Sequence, residues 1–390
     1  MPKFPGFSYK VSNIKNAVFE KFREKMDVYG SEMVRLHIGD TYQRPYYNIP
    51  LTEKFLASRQ NFNRYCNTFG IAELRKVLKE KLNSDNGIKS TINNILMTAG
   101  ATNALSAALH TVLNQEDEIL VFTPCWPIFP GLVKSVPAKI VEVPFYMTLD
   151  ENPDLDIESY LNRFISPKTA AVYFNSPNNP SGKVLSKDQI NAIGGFASSN
   201  NLWILSDEAY DGLTYDDQHH ICIASLPAFS ERTISVFTFS KLYMFAGLRL
   251  GYAVASEVVI KNINKTMVHQ LYSPSTFAQQ MMIEPIKTRH EWTTKVRQHY
   301  QDLRDIFFET IDLLEYTPQA GYFTFFSIES FFGKKTYNQI IDECLEQGVS
   351  VAPGEDFGKG YENYIRICFT GEPEERLKRG AMTLRNILLG

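Results

Sequence analysis

The sequence has no apolar run approaching the ~18–20 residues a bilayer-spanning helix needs, no C-x-x-C pair, no basic excess and no internal repeat. Each absence removes a class of function. Its 40 Lys and Arg against 43 Asp and Glu leave a formal net charge of −3 over 390 residues. A nucleic-acid or polyanion binder normally carries a basic excess or stripe, so no nucleic-acid partner is expected, and no membrane partner either. The cysteines, Cys66, Cys125, Cys222, Cys344 and Cys368, stand singly and in odd number. With no Cys/His clustering of the zinc-site kind, they fit buried free thiols in a reducing cytoplasm better than a disulfide framework or a metal centre. Lys and polar residues recur through the N-terminal MPKFPGFSYKVSNIKNAVFEKF, which denies it the apolar core of a secretion signal.

What is present is ordinary for a globular chain: 44% hydrophobic and 21% charged residues, a balance that excludes disorder as the main state. At ~150 residues per domain the length suggests roughly two or three domains and a substantial core. From about Glu53 onward, helical periodicity alternates with short apolar runs, the βαβ pattern of a mostly parallel sheet covered by helices. Strands are expected at Ile95–Thr98, Ile119–Thr123, Lys139–Val143, Ala170–Phe174, Trp203–Ser206, Thr233–Phe239 and Leu250–Val254. Helices are expected at Ile71–Asn83, Asn103–Leu113 and Lys187–Ser198, with a single long one near Ser275–Phe308. After Pro274 a Phe-rich strand at Tyr322–Ile328, a helix at Thr336–Gln347, a strand at Tyr364–Phe369 and a closing helix read as a smaller α+β unit.

The chemistry-bearing residues cluster at strand ends. Lys241 follows the apolar run Thr233–Phe239, and Arg249 follows it. A buried strand-end lysine either snorkels to water, the ordinary outcome for a lone Lys, or forms a bond that removes its charge. Asp207 closes the run Trp203–Ser206, with Tyr210 just beyond. At that position a carboxylate either caps the following turn or holds a cationic ligand group, since open α/β sheets bind ligands at strand carboxyl ends. Asn175-Ser-Pro-Asn-Asn-Pro-Ser-Gly182 is a stiff turn able to aim an amide. Thr98-Ala-Gly-Ala-Thr-Asn103 turns a strand into a helix whose first N–H groups suit a phosphate, although glycine there also serves the backbone alone. Trp126 offers a flat ring that is either core or a stacking platform.

Taken together, Gly100-Ala101-Thr102, Trp126, Asn-Asn-Pro-Ser-Gly182, Ser-Asp-Glu-Ala-Tyr210, Ser-Lys241 with Gly-Leu-Arg-Leu-Gly251, and Tyr-Ile-Arg366 resemble the class I/II aminotransferases, fold type I enzymes that use pyridoxal 5′-phosphate. Tyr65 with Gly70-Ile-Ala-Glu-Leu-Arg75, and Val351-Ala-Pro-Gly354 with Phe357-Gly358, extend the resemblance from about Leu36 to the end. It implies an α/β fold: a large doubly wound, mostly parallel domain over 46–275, a small α+β domain over 276–390, and an N-terminal segment, 1–45, joining the small domain.

The same resemblance implies roles. Lys241 would carry the cofactor as an internal aldimine and shuttle the proton between substrate Cα and the cofactor, work suited to an amine that is both nucleophile and base. Asp207 would keep the pyridine nitrogen protonated, Tyr210 and Asn179 would bond the ring's phenolic oxygen, and Trp126 would stack on it. The phosphate would lie at Gly100, Ala101, Thr102, Thr238, Ser240 and Arg249, with Tyr65, and Thr276, supplied by the partner of a homodimer. Arg366 would pair bidentately with the substrate α-carboxylate, assisted by Asn179 and the Gly39 N–H.

Ser181, Thr238 and Leu248 stand where that family usually has Thr, often Ser, and Trp. The segment Leu36–Tyr47 departs more, placing Tyr42, Arg44, Tyr46 and Tyr47 where substrate side chains are expected. Aromatic or apolar donors suit the tyrosines, and a dicarboxylic donor suits Arg44. The implied activity is transfer of the amino group of an L-amino acid to a 2-oxo acid. A lyase, decarboxylase or oxidase on the same scaffold is the second reading, and an inactive cofactor-binding relative the third.

Overall fold

The computed structural model of the protein describes residues 4–6, 9–12, 14, 22–58, 61–333 and 335–390. Runs such as Ile95–Thr98 and Thr233–Thr238 are buried along their whole length, as strands sandwiched between two helical layers must be. In chain order the strands are β1 (Val34–Arg35), β2 (Ile95–Thr98), β3 (Glu118–Thr123), β4 (Lys139–Pro144), β5 (Thr169–Asn175), β6 (Trp203–Asp207), β7 (Thr233–Thr238), β8 (Gly251–Val254), β9 (Phe323–Ser327), β10 (Val349–Ser350), β11 (Ala352–Pro353) and β12 (Tyr364–Cys368). The expected strands all form, with ends moved by a residue or so.

Seven of them make one sheet in the order β2-β8-β7-β6-β5-β3-β4. Only β8 runs against its neighbours, β2 and β7. The remaining contacts are parallel. Helices Gly100–Val112 and Glu257–Gln270 pack one face through Leu105, Leu109, Ile260 and Ile263. Helix Lys187–Ser199 covers the other through Ile190, Ile193 and Phe196. Each such fully buried side chain contributes about 1.5–3 kcal/mol. From the β3–β5 contact the chain order runs outward to β4 on one side and through β6, β7 and β8 on the other, with β2 added at that edge, so the crevice beyond the carboxyl ends of β3 and β5 is the topological switch point at which open sheets bind ligands.

A second sheet, β11-β12-β9, is antiparallel, and β1 pairs in parallel with β10. The latter pairing brings the N-terminal segment against the C-terminal part: Leu36 N–H donates to Ser350 O, and Cys368 N–H to Leu36 O.

The single helix expected near Ser275–Phe308 is instead broken. Helix Thr276–Lys287 ends, a 3₁₀ turn occupies Arg289–Glu291, and a new helix runs Thr293–Ile311. Pro285 removes one helical donor. Arg289 is held by both Asp85 oxygens, at 2.5 and 2.7 Å. Side chains then satisfy the carbonyls that the break frees: Arg289 donates to Ile286 O and the Trp292 indole to Pro285 O. A tertiary anchor overrides the local periodicity.

Candidate active site

A cavity of about 910 Å³ opens over the carboxyl ends of β3, β5, β6 and β7, lined among others by Gly39, Trp126, Asn179, Asp207, Tyr210, Lys241 and Arg366. Nearly all the residues singled out in the sequence converge on it: Trp126, Asn179, Asp207 and Lys241 follow the carboxyl ends of the parallel strands β3, β5, β6 and β7, whereas Arg366 reaches it from mid-strand in β12. Ala101, Thr102, Thr238, Ser240 and Arg249 line it too.

One end of the cavity is an anion cradle. Helix Gly100–Val112 starts without a side-chain cap, leaving its first N–H groups and the positive end of its dipole free. Gly100 has φ +81°, and a Cβ there would stand 3.1 Å from Arg249 Nη2. The guanidinium therefore lies against the helix terminus. On the facing strand, a Cβ on Gly251 would fall 3.0 Å from Ala101 N, so glycine lets β8 approach the turn. The Thr238 hydroxyl donates to Ser240 Oγ at 2.9 Å, adding a hydroxyl pair to this cationic corner. A cation packed beside an uncapped helix N-terminus, with hydroxyls around it, fits a phosphate.

Asp207 is buried at the end of β6. Burial raises its carboxyl to about 6, opposed by the Tyr173 hydroxyl, which donates to Oδ2 at 3.0 Å, and by the Ala209 N–H on Oδ1 at 3.0 Å. Asn175 ties the neighbouring strand end in place: its amide donates to Asp207 O at 2.7 Å, and its Oδ1 accepts the Asn179 N–H at 2.7 Å. Such a carboxylate is primed for a cationic partner.

The adjoining Glu208 points away from the cavity. Its carboxylate, fully buried, is met by Ser206 Oγ at 2.7 Å, His220 Nε2 at 2.5 Å and Cys222 Sγ at 3.5 Å. This corrects the expectation of no Cys/His clustering: His220 and Cys222 lie 3.6 Å apart. The three groups close on one another as hydrogen bonds, which is how a buried carboxylate is compensated.

Lys241 follows β7 and is enclosed. Its Nζ donates to Gly39 O at 2.7 Å and lies 5.1 and 5.8 Å from the ring centres of Tyr322 and Tyr210. Burial above all lowers its amine to about 8. Gly39, expected to offer its N–H to substrate, thus presents its carbonyl to the lysine here.

Arg366 lies mid-strand in β12, its guanidinium 4.1 Å from the Phe323 ring centre and 5.0 Å from that of Phe357. It donates to Asn179 Oδ1 at 3.1 Å and to His37 O at 2.6 Å, while its buried Nε has no hydrogen-bond partner among the described residues. Burial draws the guanidinium down to about 10, which keeps it charged at neutral pH. Burial, then Arg366, lowers His37 to about 4, so that ring is neutral beside the arginine. A planar cation held between two rings with an unused buried donor suits a carboxylate.

Tyr65 and Thr276 lie outside their own chain's cavity. Tyr65 is 83% exposed and packs edge-on against Tyr272, while Thr276 Oγ1 donates to Arg64 O. Tyr42, Arg44, Tyr46 and Tyr47 also lie off the cavity, a correction to the expected substrate-side-chain wall. Tyr42 and Tyr46 pack on His299, and Tyr47 on Trp292, because the helix Thr293–Ile311 offers them an aromatic surface. The cavity wall instead includes Ile14, Ile38, Ile128 and Lys134. Tyr173 was not singled out in the sequence, and Phe323 and Phe357 appeared there only within the Phe-rich strand and the C-terminal turn, with no role at the site. Strand parity was the available clue for Tyr173, two residues ahead of Asn175 on the same face.

Comparison with known proteins gives a consistent picture. The family model described as aminotransferase class I and II matches residues 31–384. The chain is 30% identical over 368 residues to an aspartate aminotransferase of Pyrococcus abyssi, covering 91% of this chain and 92% of that one. It is 31% identical over 317 residues to an aromatic-amino-acid aminotransferase 2 of Thermococcus litoralis, covering 80% of each. Among solved structures, the Thermus thermophilus aspartate aminotransferase with maleate superposes with a TM-score of 0.86 at 26% identity, over 98% of this chain and 99% of that one.

Proposed function

Since the chain belongs to the class I and II aminotransferases, we propose that it moves the amino group of an L-amino acid to a 2-oxo acid with pyridoxal 5′-phosphate held in this cavity. The observation that carries the reading is the arrangement of three charged groups: a cationic phosphate cradle at Gly100–Thr102 and Arg249, a buried carboxylate at Asp207, and a buried amine at Lys241, all on one cavity. Bound there, the cofactor supplies a conjugated cationic ring that accepts the electrons left when substrate Cα loses its proton.

The protein's own residues divide the remaining work. Backbone N–H groups of Ala101 and Thr102, the Thr238 and Ser240 hydroxyls and Arg249 would hold the phosphate. Asp207 would hold a proton on the ring nitrogen, and the Tyr173 hydroxyl partly offsets the burial that disfavours the ionised carboxylate. Tyr210 and Asn179, both on the cavity wall, would hydrogen-bond the ring's phenolic oxygen, and Trp126 would supply a stacking face. Lys241 would hold the cofactor through its amine and would carry the proton of substrate Cα. Its amine, lowered to about 8, is close enough to neutrality to serve as nucleophile and base. Arg366 binds the α-carboxylate through Nε and an Nη, with Asn179 beside it.

The proposal includes a cytoplasmic homodimer with reciprocal active sites, in which the exposed Tyr65 and Thr276 complete the phosphate site of the other copy. It also assigns the described residues within 46–275 to the large domain, and those within 1–45 and 276–390 to the small one. The donor classes named for the relatives, dicarboxylic and aromatic, are the ones to try first.

Absorbance spectra of wild type and Lys241→Ala, before and after amino acids without oxo acid, test the reading. Expected is a Lys241-dependent cofactor band that one donor converts to the pyridoxamine form with stoichiometric oxo acid. Ammonia, CO₂ or peroxide as product transfers the chain to the lyase, decarboxylase or oxidase reading.

A further inference from the structure

One side chain that the reaction itself does not require meets Lys241 at both ends. Tyr322, just ahead of β9, is fully buried. Its hydroxyl donates to the Lys241 main-chain carbonyl at 3.0 Å, and its ring centre lies 5.1 Å from Lys241 Nζ. The same carbonyl accepts the Met244 N–H at 3.0 Å. Tyr322 therefore fills the carbonyl's second acceptor site and ties the turn after β7 to a segment from the other sheet. That segment is itself fixed, because Phe369 N–H donates to Tyr322 O at 3.1 Å. Around the ring stand Tyr210, edge-on at 5.6 Å, and Tyr300, edge-on at 5.1 Å with its hydroxyl 3.5 Å from that of Tyr322.

Lys241 sits beyond the last ladder residue of β7, Thr238, so no sheet hydrogen bond fixes its Cα. A four-carbon stem multiplies any freedom at its root, and proton transfer depends steeply on donor–acceptor placement. We infer that Tyr322 is a positioning residue for Lys241: its hydroxyl fixes the lysine's main-chain origin while its ring face limits where the amine can travel. The inference rests on the reading above, in which the Lys241 amine carries the Cα proton.

Tyr322→Phe removes one oxygen and keeps the ring. The expected variant binds the cofactor with wild-type stoichiometry and has kcat lowered about 3- to 10-fold with the amino-acid KM within about two-fold, because Arg366 is untouched. The kinetic isotope effect with α-deuterated donor grows, since proton transfer becomes more rate-limiting. Cofactor-free variant also takes up pyridoxal phosphate about three-fold more slowly than wild type, a readout independent of turnover. Tyr300→Phe removes the other acceptor within reach of the Tyr322 hydroxyl, 3.5 Å away, and leaves the bond to Lys241 O, so its isotope effect is expected to stay at the wild-type value; Tyr322→Leu, which removes hydroxyl and ring together and is expected to raise the isotope effect at least as far, serves as the test should Tyr322→Phe fail to fold. Unchanged kcat, uptake and isotope effect overturn the inference. So does a lower melting temperature with no change in isotope effect, the mark of a purely structural contact. Absence of any Lys241-dependent band in wild type is a different failure, one that removes the underlying reading.

Discussion

Tyr173 Oη and Asp207 Oδ2 are 3.0 Å apart, with the hydroxyl donating between the adjacent parallel strands β5 and β6. The bond opposes the burial that raises Asp207 to about 6. In cofactor-free protein at pH 7.5 this carboxylate is ionised, buried and short of a cationic partner. A folded-state value above the ordinary 3.8 means that Asp207 favours the fold below about pH 4, and that this contribution is lost as pH rises through about 6. Asp207→Asn removes the charge. It is expected to raise the melting stability of cofactor-free protein at pH 7.5 by on the order of 2 kcal/mol, with the difference vanishing below about pH 4, while transamination falls about 100-fold or more. Thermal melts across pH check the sign. Equal melting of the two proteins at both pH values counts against the account.

Arg366 is expected to resist replacement by lysine. An ammonium keeps the charge but loses the plane that lies between Phe323 and Phe357 and the fork that meets a carboxylate. Arg366→Lys should raise the amino-acid KM about 10- to 100-fold, the range of one or two charge-assisted hydrogen bonds. Cofactor affinity, titrated by absorbance, should stay within about two-fold.

These two sites also separate what was legible in the sequence from what was not. Asp207, Lys241 and Asn179 were legible because each belongs to a contiguous motif at the carboxyl end of a buried run, and parallel strands bring such ends to one edge. The rings enclosing Arg366 were not, since Phe323 and Phe357 come from separate segments and pair only through the register of β9 with β12 and the turn after β11. Tyr42 and Tyr46 misled for the converse reason. They follow Gly39 closely in sequence, yet the surface of helix Thr293–Ile311 captures them. The helix break at Arg289 was likewise hidden, because Asp85, which causes it, lies far away in the chain.

At the phosphate end, Gly100 combines φ +81° with a virtual Cβ 3.1 Å from Arg249 Nη2. Gly100→Ala strains the backbone by about 1–2 kcal/mol and presses the guanidinium away from the helix terminus. The expected outcome is weaker pyridoxal phosphate binding, by about 5- to 20-fold, with a smaller effect on pyridoxal, which lacks the phosphate. Equal weakening of both ligands would show that the cradle is not where the phosphate lies.

The last prediction concerns the amine. Burial is the leading cause that brings Lys241 down to about 8, with Arg366 and Arg249 adding to it and Cys368 and Asp40 opposing it. Below that pH the amine is protonated and cannot attack a carbonyl; above it the free base predominates. The rate at which cofactor-free protein captures pyridoxal phosphate should therefore rise about ten-fold per pH unit below about 8 and level off above it, rather than climb onward toward the ordinary lysine value. The same shift acts on stability. Folded Lys241 loses its proton near 8 and the unfolded chain near about 10.4, so between those values the unfolded state binds more protons and the fold gains stability as pH rises. Lys241→Met abolishes both effects, and it is expected to stabilise the cofactor-free protein at pH 7, where the buried ammonium is unfavourable, and to bring no gain above about pH 10. Stopped-flow capture rates and melting curves on the same samples check the two limbs independently, and a capture rate still rising steeply at pH 10 rules out the lowered amine.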